Sequence, residues 1–177
     1  MEFLIFDDEH KKKYSDDIFK MLSDGDREFV PPLSSRRSTT QKNLSFSCGT
    51  LNTDGVKMYF DGMMSQIILG CIEDGKLLGF VSLRENYTCD NINENTFPNI
   101  YISTLIVSPE ARGMGLTKKM YTHLFDTIYA DRNVFTRTWS TNGAHIAILE
   151  KFGFVNTVRI ENDRGQGIDT VYFAKLR

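Results

Sequence analysis

Apolar and polar positions along this chain follow two rhythms. Short apolar runs rich in β-branched and aromatic residues, at Glu2–Phe6, Ile67–Ile72, Leu77–Leu83, Ile100–Val107, Val134–Ser140, Phe154–Ile160 and Thr170–Leu176, predict strands. Between them, apolar residues recur at helical spacing: Tyr14, Ile18, Met21 and Leu22 within His10–Leu22; Val56, Tyr59, Phe60, Met63 and Met64; Leu116, Met120, Leu124 and Ile128 with Tyr121 and Phe125 beside them; and Ile146, Leu149 and Phe152 in a helix from Asn142 to Lys151 that Gly153 stops. Glu73-Asp74-Gly75-Lys76 reads as a hairpin turn, and residues 161–167 join the last two strands as a second hairpin. Strand, amphipathic helix and strand over Ile100–Ser140 imply a right-handed crossover and a parallel pair. The fold class is therefore α/β of the α+β type. We expect one domain over 1–177, with a mixed, mostly antiparallel central sheet of six to seven strands, one parallel β-α-β crossover and flanking helices.

The crossover contains the most informative turn. Pro109 ends the strand, and Arg112-Gly113-Met114-Gly115 precedes the first apolar position of the helix. Two glycines permit close approach to the main chain, and a helix start presents unpaired amides and partial positive charge, so this turn suits an anion. On its own it also fits an ordinary strand-to-helix connection. A Walker-type loop is excluded by Leu116 after Gly115, and a dinucleotide fingerprint by Lys118 at the third glycine position.

Composition narrows the context. The net charge of −2, with both signs interspersed, argues against a nucleic-acid partner. Cys48, Cys71 and Cys89 form no CxxC pair, so neither a disulfide framework nor a metal site is expected. Asp7-Asp8-Glu9 follow the first apolar residues at once, and no apolar run approaches spanning length, so a cytoplasmic protein without membrane attachment is expected. Arg36-Arg37 reads as a solvated pair, with an anionic group of substrate or cofactor as the alternative. The polar loop 84–98 is long enough to line a cleft.

Val107-Ser108-Pro109-Glu110-Ala111-Arg112-Gly113-Met114-Gly115-Leu116, followed in order by Asn142 and by Glu150-Lys151-Phe152-Gly153-Phe154, resembles the acyl-CoA signature and late helix of the GNAT superfamily of N-acyltransferases. The resemblance covers roughly Leu105 to Phe154, and Thr117 stands where that signature usually has Gly or Ala. It implies a GNAT fold and an acetyl-CoA-dependent N-acetyltransferase. Acetyl-CoA would be co-substrate, without a metal, and the acceptor a primary amine of a small molecule, amino acid derivative or peptide. Leu105, Ile106 and Val107 would pair with the pantetheine arm, the amides from Arg112, Gly113, Met114, Gly115, Leu116 and Thr117 would take the diphosphate, and Asn142 would bond the pantetheine end or acyl group. The Thr117 hydroxyl would cap the helix or donate to phosphate. The tyrosine that commonly protonates the leaving thiolate is replaced by Leu149, so His145, one turn earlier, is the candidate acid. Glu85 and Tyr87, at the end of the neighbouring strand, and Tyr101 are candidates to contact the amine, with Glu85 also a candidate base; Trp139 reads as sheet core. Leu149 also motivates an alternative from another class, an acyl-CoA-binding module without transferase activity. A homodimer is left open.

Overall fold

The structure is a computed structural model and describes residues 1–47 and 55–177. Cys48, one of the three cysteines considered above, lies outside the described residues; Cys71 and Cys89 are free thiols.

Seven strands form one sheet: β1 (Glu2–Ile5), β2 (Ile67–Glu73), β3 (Lys76–Glu85), β4 (Asn99–Val107), β5 (Asn133–Trp139), β6 (Val155–Ile160) and β7 (Thr170–Lys175). Their order is β1-β2-β3-β4-β5-β7-β6, and every neighbouring pair is antiparallel except β4 and β5. The β2–β3 hairpin turns at Asp74 and Gly75, both at positive φ, as a two-residue turn between right-twisted strands requires.

Helices cover both faces. α1 (Asp8–Lys13), α2 (Ser15–Asp24) and α3 (Gly55–Met64) lie on one side, where Ile18, Leu22, Tyr59 and Met63 pack on Ile68, Phe80 and Ile106. α4 (Leu116–His123) and α5 (Gly143–Lys151) lie on the other, where Leu116, Met120, Tyr121 and Leu149 pack on Leu83, Ile100 and Ile102. The single helix predicted over His10–Leu22 is two, because Tyr14 leaves helical geometry to bury its ring against Phe6 at 5.4 Å. The four-residue rhythm of α4 also fails at its end. Leu124–Ile128 is a π-turn, with Tyr129 N–H donating to the Leu124 carbonyl at 2.8 Å; it turns Ile128 outward, to 36% exposure, and Tyr129 inward.

Two irregularities in β4 shape the site. Ser82 pairs with Thr104 and Leu83 with Ile102, so Ser103 bulges from the β3 ladder. Side-chain parity reverses there: Ile100 and Ile102 face α4 before the bulge, Leu105 and Val107 after it, while Ile106 faces α3. On the other side, β4 and β5 pair only from Asn99–Asn133 to Ile102–Thr136, and the Thr136 hydroxyl covers the last β4 carbonyl, Ile102 O, at 3.1 Å. Beyond that point the strands part.

Candidate active site

The parting of β4 and β5 opens a cavity of about 370 Å³. Ser103 to Val107 line one side of the notch and Thr136 to Trp139 the other, with Asn142, Ala144, His145 and Ile148 of α5 across it. Every β4 main-chain group after Ile102 that β5 would have engaged is left to another partner, so the notch accepts an extended, hydrogen-bonding chain much as a missing strand would.

Arg112 and Thr117 also line this cavity, which runs on to the start of α4. Gly113 and Gly115 have φ of 80° and 70°, and nothing lies within 4 Å of the position a Cβ would take at either, so the requirement for glycine is conformational. The amides of Gly113, Gly115, Leu116 and Thr117 have no backbone partner among the described residues, and the α4 N-cap, Gly115, supplies no side-chain bond. They form an outward-facing donor cluster at the positive helix end. Two of the six amides expected to serve this purpose are already used: Arg112 N–H donates to Pro109 O at 3.3 Å and Met114 N–H to Ala111 O at 3.4 Å, which closes the turn. The Arg112 guanidinium is held by Glu28, with both carboxylate oxygens at 2.9 Å. The hydroxyl of Thr117 does not cap the helix.

Asn142 caps α5, its Oδ1 accepting from His145 N–H at 3.4 Å while its Nδ2 donates to the Thr138 hydroxyl at 3.0 Å. That pair ties α5 to the end of β5 and holds His145 at the cavity. The imidazole Nε2 lies 2.8 Å from the hydroxyl of Tyr121 on α4. Tyr121 is fully buried and this is its one hydrogen-bond partner among the described residues, so its proton goes to Nε2, which leaves the ring proton on Nδ1. Nδ1 makes no bond among the described residues and is not sealed from solvent. Burial pushes the imidazole down to about 4 and raises the Tyr121 phenol, so both are neutral at physiological pH.

Leu149 does not line the cavity; it is 0% exposed in the core that also holds Tyr121, Leu124 and Phe125. Truncation to alanine there should cost about 2–5 kcal/mol, read as a lower Tm. Leu149→Tyr should also destabilise, by about 1–3 kcal/mol through overpacking. It should not raise turnover, because the side chain faces the core.

Other sequence candidates fall elsewhere. Glu85 pairs with Ile100 at the β4 end remote from the notch; it lies by Tyr129, whose phenol is pushed up to about 12 by burial and by this carboxylate. Tyr87 packs on Tyr101 at 4.7 Å, and Tyr101 is buried with Ile92, Phe135 and Tyr172; neither lines the cavity. The 84–98 loop closes over that cluster rather than over the cavity. Trp139 was expected in the sheet core but stands in the cavity wall, 6.0 Å from Phe29. Arg36 is buried, not solvated, and lines the cavity with Arg137 and Arg164; Arg37 is exposed. Arg137 and Arg164 escaped the sequence reading because nothing in their local pattern distinguishes them from ordinary strand and turn arginines.

A mixed sheet whose one parallel pair splays beside a glycine turn and a helix start is the arrangement that the resemblance to acyl-CoA-dependent transferases implies. Residues 41–154 match the model of the Acetyltransferase (GNAT) family, and the chain belongs to that family of acetyltransferases. Curated protein sequences gave no match. Among solved structures the chain is similar in fold to yncA from Salmonella typhimurium, determined with its cofactor acetyl-CoA (17% identity over 99% of this chain and 93% of that one, TM-score 0.67). It is likewise similar to an N-acetyltransferase from Staphylococcus aureus Mu50 (16% identity, 99% of both chains, TM-score 0.67). A ribosomal-protein-alanine N-acetyltransferase from Brucella melitensis shares 13% identity over 100% of both chains, with a TM-score of 0.65. Among the described residues no helix is long and apolar enough to cross a membrane, and no cluster of His, Cys, Asp or Glu is suited to hold a metal.

Proposed function

We propose that residues 1–177 act as one N-acetyltransferase domain that moves an acetyl group from acetyl-CoA to a primary amine of a small molecule, amino acid derivative or peptide, by direct attack in a ternary complex. The observation that carries this reading is the end of the β4–β5 ladder at Ile102 and Thr136, which opens a notch leading to the α4 glycine turn. The pantetheine arm lies along Leu105, Ile106 and Val107, and the free amides of Gly113, Gly115, Leu116 and Thr117 hold the diphosphate. The bulge at Ser103 offers main-chain polarity to the thioester carbonyl, and Asn142 stands beside the same segment.

The amine nitrogen bonds to the thioester carbon and the carbon–sulfur bond breaks. His145 gives its Nδ1 proton to the departing thiolate while the Tyr121 hydroxyl re-protonates Nε2, and the proton shed by the amine restores the pair. A tyrosine on α4, acting through histidine, thus takes the part that Leu149 cannot. Initial-rate kinetics test the direct route: lines that intersect when acetyl-CoA and amine are varied together support it, and parallel lines from an acetyl-enzyme would overturn it.

A further inference from the structure

Three arginines from distant parts of the chain share one wall of the cavity: Arg36 after α2, Arg137 on β5 and Arg164 in the β6–β7 connection. Arg36 and Arg164 are only 7% and 3% exposed. Arg36 donates from Nε and Nη2 to Pro31 O at 3.0 and 2.8 Å, and from Nη2 to Val30 O at 3.2 Å. Arg164 Nη1 donates to the same Val30 oxygen at 2.6 Å, so two guanidinium groups meet at one carbonyl. Its Nε donates to the Thr170 hydroxyl at 2.9 Å. Arg137 donates to Gln41 O at 2.7 Å and to the Tyr172 hydroxyl at 3.3 Å.

All these partners are neutral. Asp169 and Glu28 are paired with other cations, Arg159 and Arg112, while Asp26, held by Ser34, and Asp163, held by Thr170 and the Leu44 amide, attract Arg36 and Arg164 across space without a direct hydrogen bond to either. By hydrogen bonds, Asp163 reaches Arg164 only through the Thr170 hydroxyl. Arg36 Nη1 and Arg164 Nη2 make no hydrogen bond among the described residues and are not sealed from the cavity.

Buried like charges without a directly bonded counter-charge destabilise one another. Burial and the charges of Arg36 and Arg137 push Arg164 down to about 9, and burial, with a contribution from Arg137, lowers Arg36. Every one of these guanidiniums still carries its proton at neutral pH. Phe29 stacks beneath Arg36 at 5.5 Å and Trp139 beneath Arg164 at 5.9 Å, so the planes are held before any ligand arrives. Fixed guanidinium forks match the geometry of a carboxylate or a phosphate. This wall is built from segments separate from the α4 turn assigned to the diphosphate.

We propose that Arg36, Arg137 and Arg164 form a receptor for an oxyanion group on the acceptor, so that the amine acetylated belongs to a molecule that also bears a carboxylate or a phosphate. The inference rests on the acetyltransferase reading above. A neutral analogue leaves the receptor's buried donors unpaired, and on the order of a hundredfold or more in kcat/KM should separate it from the anionic amine.

The test compares matched acceptors on the wild-type protein: amino acids against their carboxamides, and amino-alcohol phosphate monoesters against the parent amino alcohols, with acetylated product measured by mass spectrometry. A preference for the anionic member of either set supports the receptor, and the set that responds identifies carboxylate or phosphate. Arg137→Gln should then raise the KM for that acceptor at least tenfold and leave the KM for acetyl-CoA unmoved. Equal or better use of the neutral members overturns the receptor while leaving the transferase reading intact, as does a rise in acetyl-CoA KM in place of acceptor KM. Failure to acetylate any amine overturns both.

Discussion

His145→Ala should lower kcat by about a hundredfold or more, the usual contribution of a positioned proton donor, with little change in the KM for acetyl-CoA. The imidazole touches the cavity on one side and the Tyr121 hydroxyl, at 2.8 Å, on the other. Tyr121→Phe keeps the ring packed against Phe125 and Phe152 but removes the proton behind Nε2, and should lower kcat by a similar factor. Because the two act as one relay, the double variant should be scarcely slower than either single one. A purely structural role for His145 predicts instead a fall in Tm with kcat preserved.

The pH dependence has a definite sign. Burial holds the folded-state imidazole near 4, below its ordinary value of 6.5, so the folded protein binds this proton less readily than the unfolded chain does. The stability it confers is complete above about pH 6.5 and is lost as the pH falls toward 4. The imidazole stays neutral down to about pH 4, so kcat should show no inflection near 6.5 that His145→Ala abolishes, and such an inflection would contradict the relay.

Gly115→Val should raise the KM for acetyl-CoA roughly ten- to a hundredfold, the equivalent of losing one charge-assisted hydrogen bond of about 1.5–3 kcal/mol. Gly115 sits at φ 70° and ψ 23° as the α4 N-cap. A β-branched residue strongly resists that region. No atom lies within 4 Å of the added Cβ, so the effect comes from the backbone and not from a clash. If the chain leaves the left-handed region, the amides of Gly115, Leu116 and Thr117 no longer converge. Gly115→Asn tolerates the left-handed region and should stay near the wild type. Equal KM values for the valine and wild-type proteins would show that this turn does not hold the diphosphate.

Much of this architecture is legible in the order of apolar rhythms, because strands and amphipathic helices of ordinary length declare themselves locally. The α4 turn is legible for the same reason: both glycines serve a conformation set by their immediate neighbours. What escapes is decided by pairing across the sheet. Residues Asn99 to Val107 read as one uninterrupted strand, and only the β3 register reveals that Ser103 bulges and reverses the faces after it. The π-turn that exchanges Ile128 for Tyr129 follows from packing at the end of α4. Arg36, Arg137 and Arg164 are 27 to 128 positions apart, and their meeting depends on loops that no local pattern specifies. The absence of the usual tyrosine at Leu149 is visible in the sequence, and so is His145 as a candidate for its part; the hydrogen bond to Tyr121 on another helix is not.

The most direct test of the central claim is release of free thiol from acetyl-CoA by the purified, folded protein across a broad panel of primary amines, with product acetamide identified in the same reactions. Amine-dependent thiol release matched by stoichiometric acetylated product is the expected result. Coenzyme A binding with no thiol release from any amine would contradict it and make the chain an acyl-CoA-binding module.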